Sequence, residues 1–168
     1  MQLEHILHTD KRLKKFSIGV FAMDQLPTTI ACRPAIFIVN TEPSTKDGQH
    51  WLAVYVKRSN EVEFFDSYGQ SLSKYPKALQ RLLQGLGKTY VYNTSRLQHP
   101  LSITCGQYVV YYLHHRCRGR SMERIVNDFG EDLLRNDEKV FQFVHTTYPG
   151  TAPSVQTQYD FMYKQLLK

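Results

Sequence analysis

Two runs, "HWLAVYV" (residues 50–56) and "EVEFFDSYG" (residues 61–69), are separated only by "KRSN". β-branched and aromatic residues dominate both runs, and so short a connection admits one arrangement, an antiparallel hairpin. "PAIFIVN" (residues 34–40) reads as a further buried strand and "KTYVYNT" (residues 88–94) as another. Between them, Pro76 suits the first position of a helix through Leu79, Leu82 and Leu83, closed by Gly85 or Gly87. Residues 2–14 are expected to form one short amphipathic helix on Leu3, Ile6, Leu7 and Leu13, and residues 16–27 are punctuated by Gly19 and Pro27. Later in the chain, Ser121 is placed to cap a helix carrying Met122, Ile125, Val126, Phe129 and Leu133. A further helix fits residues 137–146, a loop fits 148–153, and an amphipathic helix is expected from Gln156 onward. Strands cluster early and helices late, which argues for an α+β domain with a mixed or antiparallel central sheet flanked by helices.

With 168 residues, 42% of them hydrophobic, the chain fits a single domain over residues 1–168 with one substantial core. No apolar run approaches the roughly 20 residues of a membrane span, so neither a signal peptide nor a membrane partner is expected. Three cysteines, Cys32, Cys105 and Cys117, are too few for a disulfide framework and suit a reducing compartment. The net charge of +6 favours polyanionic partners such as DNA, through "KRLKK" (residues 11–15), "RCRGR" (residues 116–120) with Arg124, and scattered lysines from Lys74 to Lys88. Solvated surface charge explains the same clusters equally well, because no interleaved aromatic residues accompany them.

The segment "QHPLSITCGQYVVYYLHHRCRG" (residues 98–119) carries the chemistry. "YVVYYL" has strand propensity, but positions 105, 109, 113 and 117 recur every four residues, Thr104 with Gln107 forms a capping-box pattern, and Gly119 stands where a helix would close. A helix beginning at Cys105 puts this cysteine among unpaired backbone N–H groups at the positive end of the macrodipole, a setting that stabilises an anionic sulfur. Gly106 lets another backbone approach the thiol. Most unpaired cysteines are small buried hydrophobes, and that reading suits Cys117. A nucleophile needs a base and a group to orient it.

Of the seven histidines, His50 is distinguished by its place at the start of a strand, immediately before Trp51. If the hairpin loop is the three residues 58–60, position 52 faces 66 and position 50 faces 68, so His50 and Asp66 become diagonal neighbours within side-chain reach. A four-residue loop would put them on opposite faces. The plainer alternatives are a strand-edge histidine and ordinary turn chemistry at Asp66, Ser67 and Gly69.

The ordered set "GQHW", "FFDSYG" and Gln98 seven residues before "CG" resembles the adenovirus-type cysteine proteases, the adenains, in the clan that includes the SUMO-deconjugating proteases. "FSIGVFAMDQLP", "AIFIVNT" and "HWLAVYV" are similar to that family's N-terminal third in order and spacing, so the resemblance covers residues 16–113. It implies a papain-like or adenain-like fold with the nucleophile at the N-terminus of a buried helix. It further implies Cys105 as nucleophile, His50 as general base and acid, Asp66 as the group orienting His50, and Gln98 with the Cys105 backbone N–H as oxyanion donors. A narrow cleft for glycine-containing substrates is implied at Trp51 and Gly106. The expected activity is endopeptidase maturation of viral capsid or core precursor proteins, in the virion and host nucleus, by a monomer.

Departures qualify the resemblance. Asp66 stands where mammalian adenovirus enzymes have glutamate, although deconjugating relatives use aspartate. Residues 88–97 and their approach contain no cysteine to anchor a disulfide-linked activating peptide at the family position, while DNA as an activator stays open. The chemistry requires no cofactor. A protease of ubiquitin-like or SUMO-type conjugates is the enzymatic alternative, although the seven-residue spacing from Gln98 to Cys105 leans towards adenain. A basic DNA-binding module with an unused triad is the alternative outside enzymes. A metal site from Cys105, His114, His115 and Cys117 matches no common zinc spacing, and no metal is expected.

Overall fold

The hairpin becomes the centre of a five-stranded sheet in a computed structural model, which describes residues 1–152 and Asp160. Strands β1 (Ser17–Phe21), β2 (Ala35–Asn40), β3 (Trp51–Val56), β4 (Glu61–Phe65) and β5 (Thr89–Tyr92) lie side by side in chain order. The inner pairs β2/β3 and β3/β4 are antiparallel, whereas β1/β2 and β4/β5 are parallel, so the sheet is mixed. The parallel pairs follow from their connections. β4 reaches β5 only through a long crossover containing α3 (Lys77–Leu86), and such a crossover can reverse the chain twice. The remaining helices are α1 (Leu3–Thr9), α2 (Lys11–Phe16), α4 (Cys105–Arg116), α5 (Met122–Val126) and α6 (Leu133–Thr147).

Hairpin register decides which side chains can meet. Val56 pairs with Val62 and Ala53 with Phe65, and Lys57 N–H donates to the Glu61 carbonyl, so the loop is residues 58–60 with Asn60 in the left-handed region at φ 65°. Of the two registers the sequence left open, this is the three-residue one. Strand alternation then divides the core. Ile36, Ile38, Ala53 and Phe65 face α1, α4 and α6, while Phe37, Val39, Leu52, Val54 and Phe64 face Leu79, Leu83 and Leu86 of α3.

Helix α4 is buried on every side from Cys105 to Leu113, rather than along one stripe. Its tyrosines are admitted to the core because their hydroxyls find acceptors: Tyr108 on the Leu97 carbonyl, Tyr111 on Asp128 and Tyr112 on Glu63. That packing overrides the strand propensity of the segment.

Several sequence expectations are corrected. The N-terminal helix is two helices, because the Asp10 carboxylate accepts from Arg12 N–H at 2.8 Å and Leu13 N–H at 3.1 Å and thereby starts α2. Residues 17–21 form a strand the apolar pattern did not reveal, since Gly19 (φ 132°) and a register shift between Ser17 and Gly19 interrupt it. Ser121 does cap a helix, but α5 ends at Val126, and Asp132 caps a separate α6 by accepting from Arg135 N–H at 3.1 Å. The capping box at Thr104 is absent. Its backbone is at ψ 7°, and its hydroxyl is taken by Asp137 and Ser102. The expected helix from Gln156 lies outside the described residues.

Candidate active site

His50 immediately precedes β3 and Asp66 immediately follows β4, so both stand at the rim of the sheet, where the layers on its two faces meet. The Asp66 carboxylate is fully buried and fully used. One oxygen accepts from His50 Nε2 at 2.7 Å and from Tyr68 N–H at 2.9 Å, the other from Gln70 N–H at 2.9 Å and the Tyr75 hydroxyl at 2.8 Å. Burial alone would raise its pKa, but the hydrogen bond and charge of His50, with those donors, hold it below the ordinary value. The backbone of Asp66 is fixed in turn by Asn93, whose side chain accepts from Asp66 N–H at 3.0 Å and donates to its carbonyl at 2.7 Å.

The turn that carries Asp66 closes at Gly69, with φ 66°. A Cβ there would also lie 2.6 Å from the Ser95 backbone, so both the conformation and the space require glycine. Tyr68 on the same turn stacks on the His50 ring, with centroids 4.8 Å apart.

With Asp66 on Nε2, Nδ1 is the ring nitrogen that remains open to another partner, and Cys105 is among the groups that raise the pKa of the ring. Burial pushes the His50 pKa down, but hydrogen bonds to Asp66 and Cys105 and their charges outweigh it and lift the pKa to about 9. His50 is therefore an imidazolium at neutral pH. Cys105 opens α4 and is buried, with its backbone N–H among the donors that a helix leaves unpaired. Cys117, at the other end of the helix, is different. Burial drives its thiol up to about 12, an inert core sulfur.

Gln98 is buried against the turn that carries Asp66. Its amide oxygen accepts from the Ser67 hydroxyl at 2.6 Å, and its Nε2 donates to the Ser102 carbonyl at 3.0 Å, which leaves one amide hydrogen uncommitted among the described residues. Trp51 and Gly106 also meet: a Cβ on Gly106 would stand 3.6 Å from Trp51 Cδ1 and would collide with the Met1 side chain, which lies across the same spot. All six candidate residues therefore gather at one rim of the sheet. Ser67, Tyr68, Tyr75 and Asn93 were not singled out from sequence. Ser67 and Tyr68 stood in view inside "FFDSYG", but as turn residues they carried no signal of contact with Gln98 or His50.

Among the described residues no group of three or more histidine, cysteine or acidic side chains is arranged to hold a metal ion, and no helix is long and apolar enough to cross a membrane. The basic cluster at residues 116–120 is largely spent internally. Arg116 pairs with Glu63 at 2.6 Å, Arg118 with Asp10 at 2.8 Å and Arg120 with Asp128 at 2.7 Å.

No family model and no curated protein matches the chain. Among solved structures, the selenomethionine form of the ASFV pS273R protease superimposes with a TM-score of 0.47 at 23% identity, over 64% of this chain. The match spans 44% of that protein's length.

Proposed function

We propose that the chain is a cysteine endopeptidase in which Cys105 attacks the peptide carbonyl and His50, oriented by Asp66, carries the proton. The observation that carries this reading is the His50 ring, bonded through Nε2 to a buried carboxylate at 2.7 Å, with Cys105 at the first position of α4 among the groups that raise its pKa. In the imidazolium state the ring holds the proton taken from sulfur. The thiolate adds to the carbonyl carbon, and the oxyanion is received by the free Gln98 amide hydrogen and Cys105 N–H. Collapse breaks the C–N bond as His50 delivers its proton to the leaving amine, giving an acyl-enzyme. Water, deprotonated by His50, then hydrolyses the thioester and regenerates the thiol.

The sequence resemblance to adenains supports a finer reading: maturation of viral capsid or core precursors at glycine-containing sites, read by Trp51 and Gly106. Cys105→Ala is expected to abolish cleavage of a glycine-containing peptide while leaving the melting temperature nearly unchanged. Retained cleavage refutes the mechanism. Labelling of Cys105 by an electrophilic ubiquitin-like C-terminal probe would instead favour the deconjugating reading. Polyanion contact falls to α2 with Lys11, Arg12, Lys14 and Lys15, to Arg124 and to the lysines from Lys74 to Lys88, since the arginines at 116, 118 and 120 neutralise carboxylates of the chain itself.

A further inference from the structure

Resting on the peptidase reading, we propose that Asp137 of α6, supported by Asn136, is a positioning residue that sets the oxyanion side of the site by clamping the segment from Leu97 to Thr104. The buried Asp137 carboxylate directs a single oxygen, Oδ1, at this segment. It accepts from Thr104 Oγ1 at 3.0 Å, from the Tyr108 hydroxyl at 2.9 Å and from His99 N–H at 3.4 Å. Thr104 is bonded in turn to Ser102 at 2.8 Å, and the Ser102 carbonyl receives the Gln98 amide. A continuous chain of hydrogen bonds thus runs from α6 to the Gln98 side chain.

Asn136 adds a second hold. Its Nδ2 donates to the Leu97 carbonyl at 3.1 Å, which the Tyr108 hydroxyl also reaches at 2.8 Å. From the opposite side, Leu97 N–H and Gln98 N–H both donate to the Ser67 carbonyl, at 2.8 and 3.1 Å. Gln98 is therefore gripped between the turn that carries Asp66 and the first turn of α6. Asp137 Oδ2 is buried and has no partner within hydrogen-bond distance among the described residues, although the nearby Ser102 hydroxyl acts on the same carboxyl group. Among the described residues neither Asp137 nor Asn136 hydrogen-bonds to His50, Asp66 or Tyr68, so the clamp bears first on the Gln98 side of the site and reaches His50 only through the Ser67 turn.

The experiment compares Asp137→Ala, Asp137→Asn and Thr104→Val, using a fluorogenic Leu-Arg-Gly-Gly aminomethylcoumarin peptide and, separately, the rate of iodoacetamide alkylation at Cys105. A misplaced donor costs on the order of 10²-fold, so Asp137→Ala should lower kcat by at least about tenfold with KM within about threefold. Alkylation, which forms no oxyanion, should change little. Asp137→Asn keeps an oxygen at Oδ1 and should recover most of kcat, and Thr104→Val should fall between. Unchanged kcat in Asp137→Ala, or kcat and alkylation falling in parallel, overturns the proposal. If Asp137→Ala does not fold, Thr104→Val decides by the same two readouts. Wild-type protein that neither cleaves the peptide nor alkylates selectively at Cys105 removes the peptidase reading itself; a cleaving wild type with an indifferent Asp137 removes the clamp alone.

Discussion

His50 illustrates how one ring is set by its neighbours. Its pKa, raised to about 9, reflects two partners outweighing burial, so the ring stays protonated through neutral pH. We expect kcat/KM to decline as pH rises through about 9, and Asp66→Asn, which removes the largest upward influence, to move that limb to lower pH. A pH–rate profile of both proteins checks this; a limb that stays in place counts against Asp66 as the orienting group. Stability follows the same linkage. An unfolded histidine titrates near pH 6.5, so the contribution of the pair is complete below about 6.5 and is lost as pH rises through the folded value.

At the scale of elements, α4 is tied to the sheet by a buried ionic cluster. Glu63 on β4 accepts from Arg116 at 2.6 and 3.1 Å and from the Tyr112 hydroxyl at 2.6 Å, with Lys57 at 3.0 Å, while the Arg116 guanidinium lies 4.3 Å over the Tyr55 ring. Burial would raise the Glu63 pKa, and the hydrogen bonds from Arg116 and Tyr112 lower it further than burial raises it. Removing Arg116 leaves the buried Glu63 carboxylate with Lys57 and Tyr112 as its remaining partners, so Arg116→Ala should cost about 1.5–3 kcal/mol in urea unfolding. Tyr112→Phe, which removes one bond to a charged acceptor, should cost about 1.5–3 kcal/mol. Equal, small effects would mean that water reaches Glu63 freely. Because α4 carries Cys105 at its far end, the cluster also fixes the distance of the thiol from the hairpin.

Over the whole molecule, Asp10 joins distant parts of the chain. Its carboxylate caps α2, accepts from Arg118 beyond α4 at 2.8 Å and from Tyr148 after α6 at 2.7 Å, and Tyr148 also bonds His114 at 2.8 Å. Burial opposes ionisation, but Tyr148, Leu13 N–H, Arg118 and Arg12 N–H bring the pKa down to about 2. The stability contributed is present above the unfolded value of about 3.9 and is lost as pH falls towards 2. Asp10→Asn should therefore destabilise the fold by about 1–3 kcal/mol near neutral pH, and the deficit should shrink in acid unfolding curves. A deficit independent of pH would assign the loss to the cap alone. His114, held down to about 4 by burial and by the charges of Arg118 and His115, is neutral near pH 7 and takes up a proton as pH falls through about 4, inside the same acid window.

Local pattern alone was enough for the inner sheet and the helix bearing Cys105. Alternation and the short connection in residues 50–69 announce the hairpin but leave two registers open, and it is the observed register that brings His50 to Asp66. Four-residue spacing and Gly119 announced α4, although the cap proposed for Thr104 was mistaken because a hydroxyl next to a distant carboxylate cannot be seen from its neighbours in sequence. The same blindness hid β1, the break at Asp10 and the short α5, where one capping side chain outweighs an apolar period. It also hid Ser67, Asn93 and Asp137, which stand 31, 27 and 33 positions from the Gln98, Asp66 and Thr104 groups they hold. Side chains that do chemistry sit in short motifs because the backbone positions them directly. Those that hold them in place come from wherever the fold delivers a buried donor or acceptor, and only packing decides that.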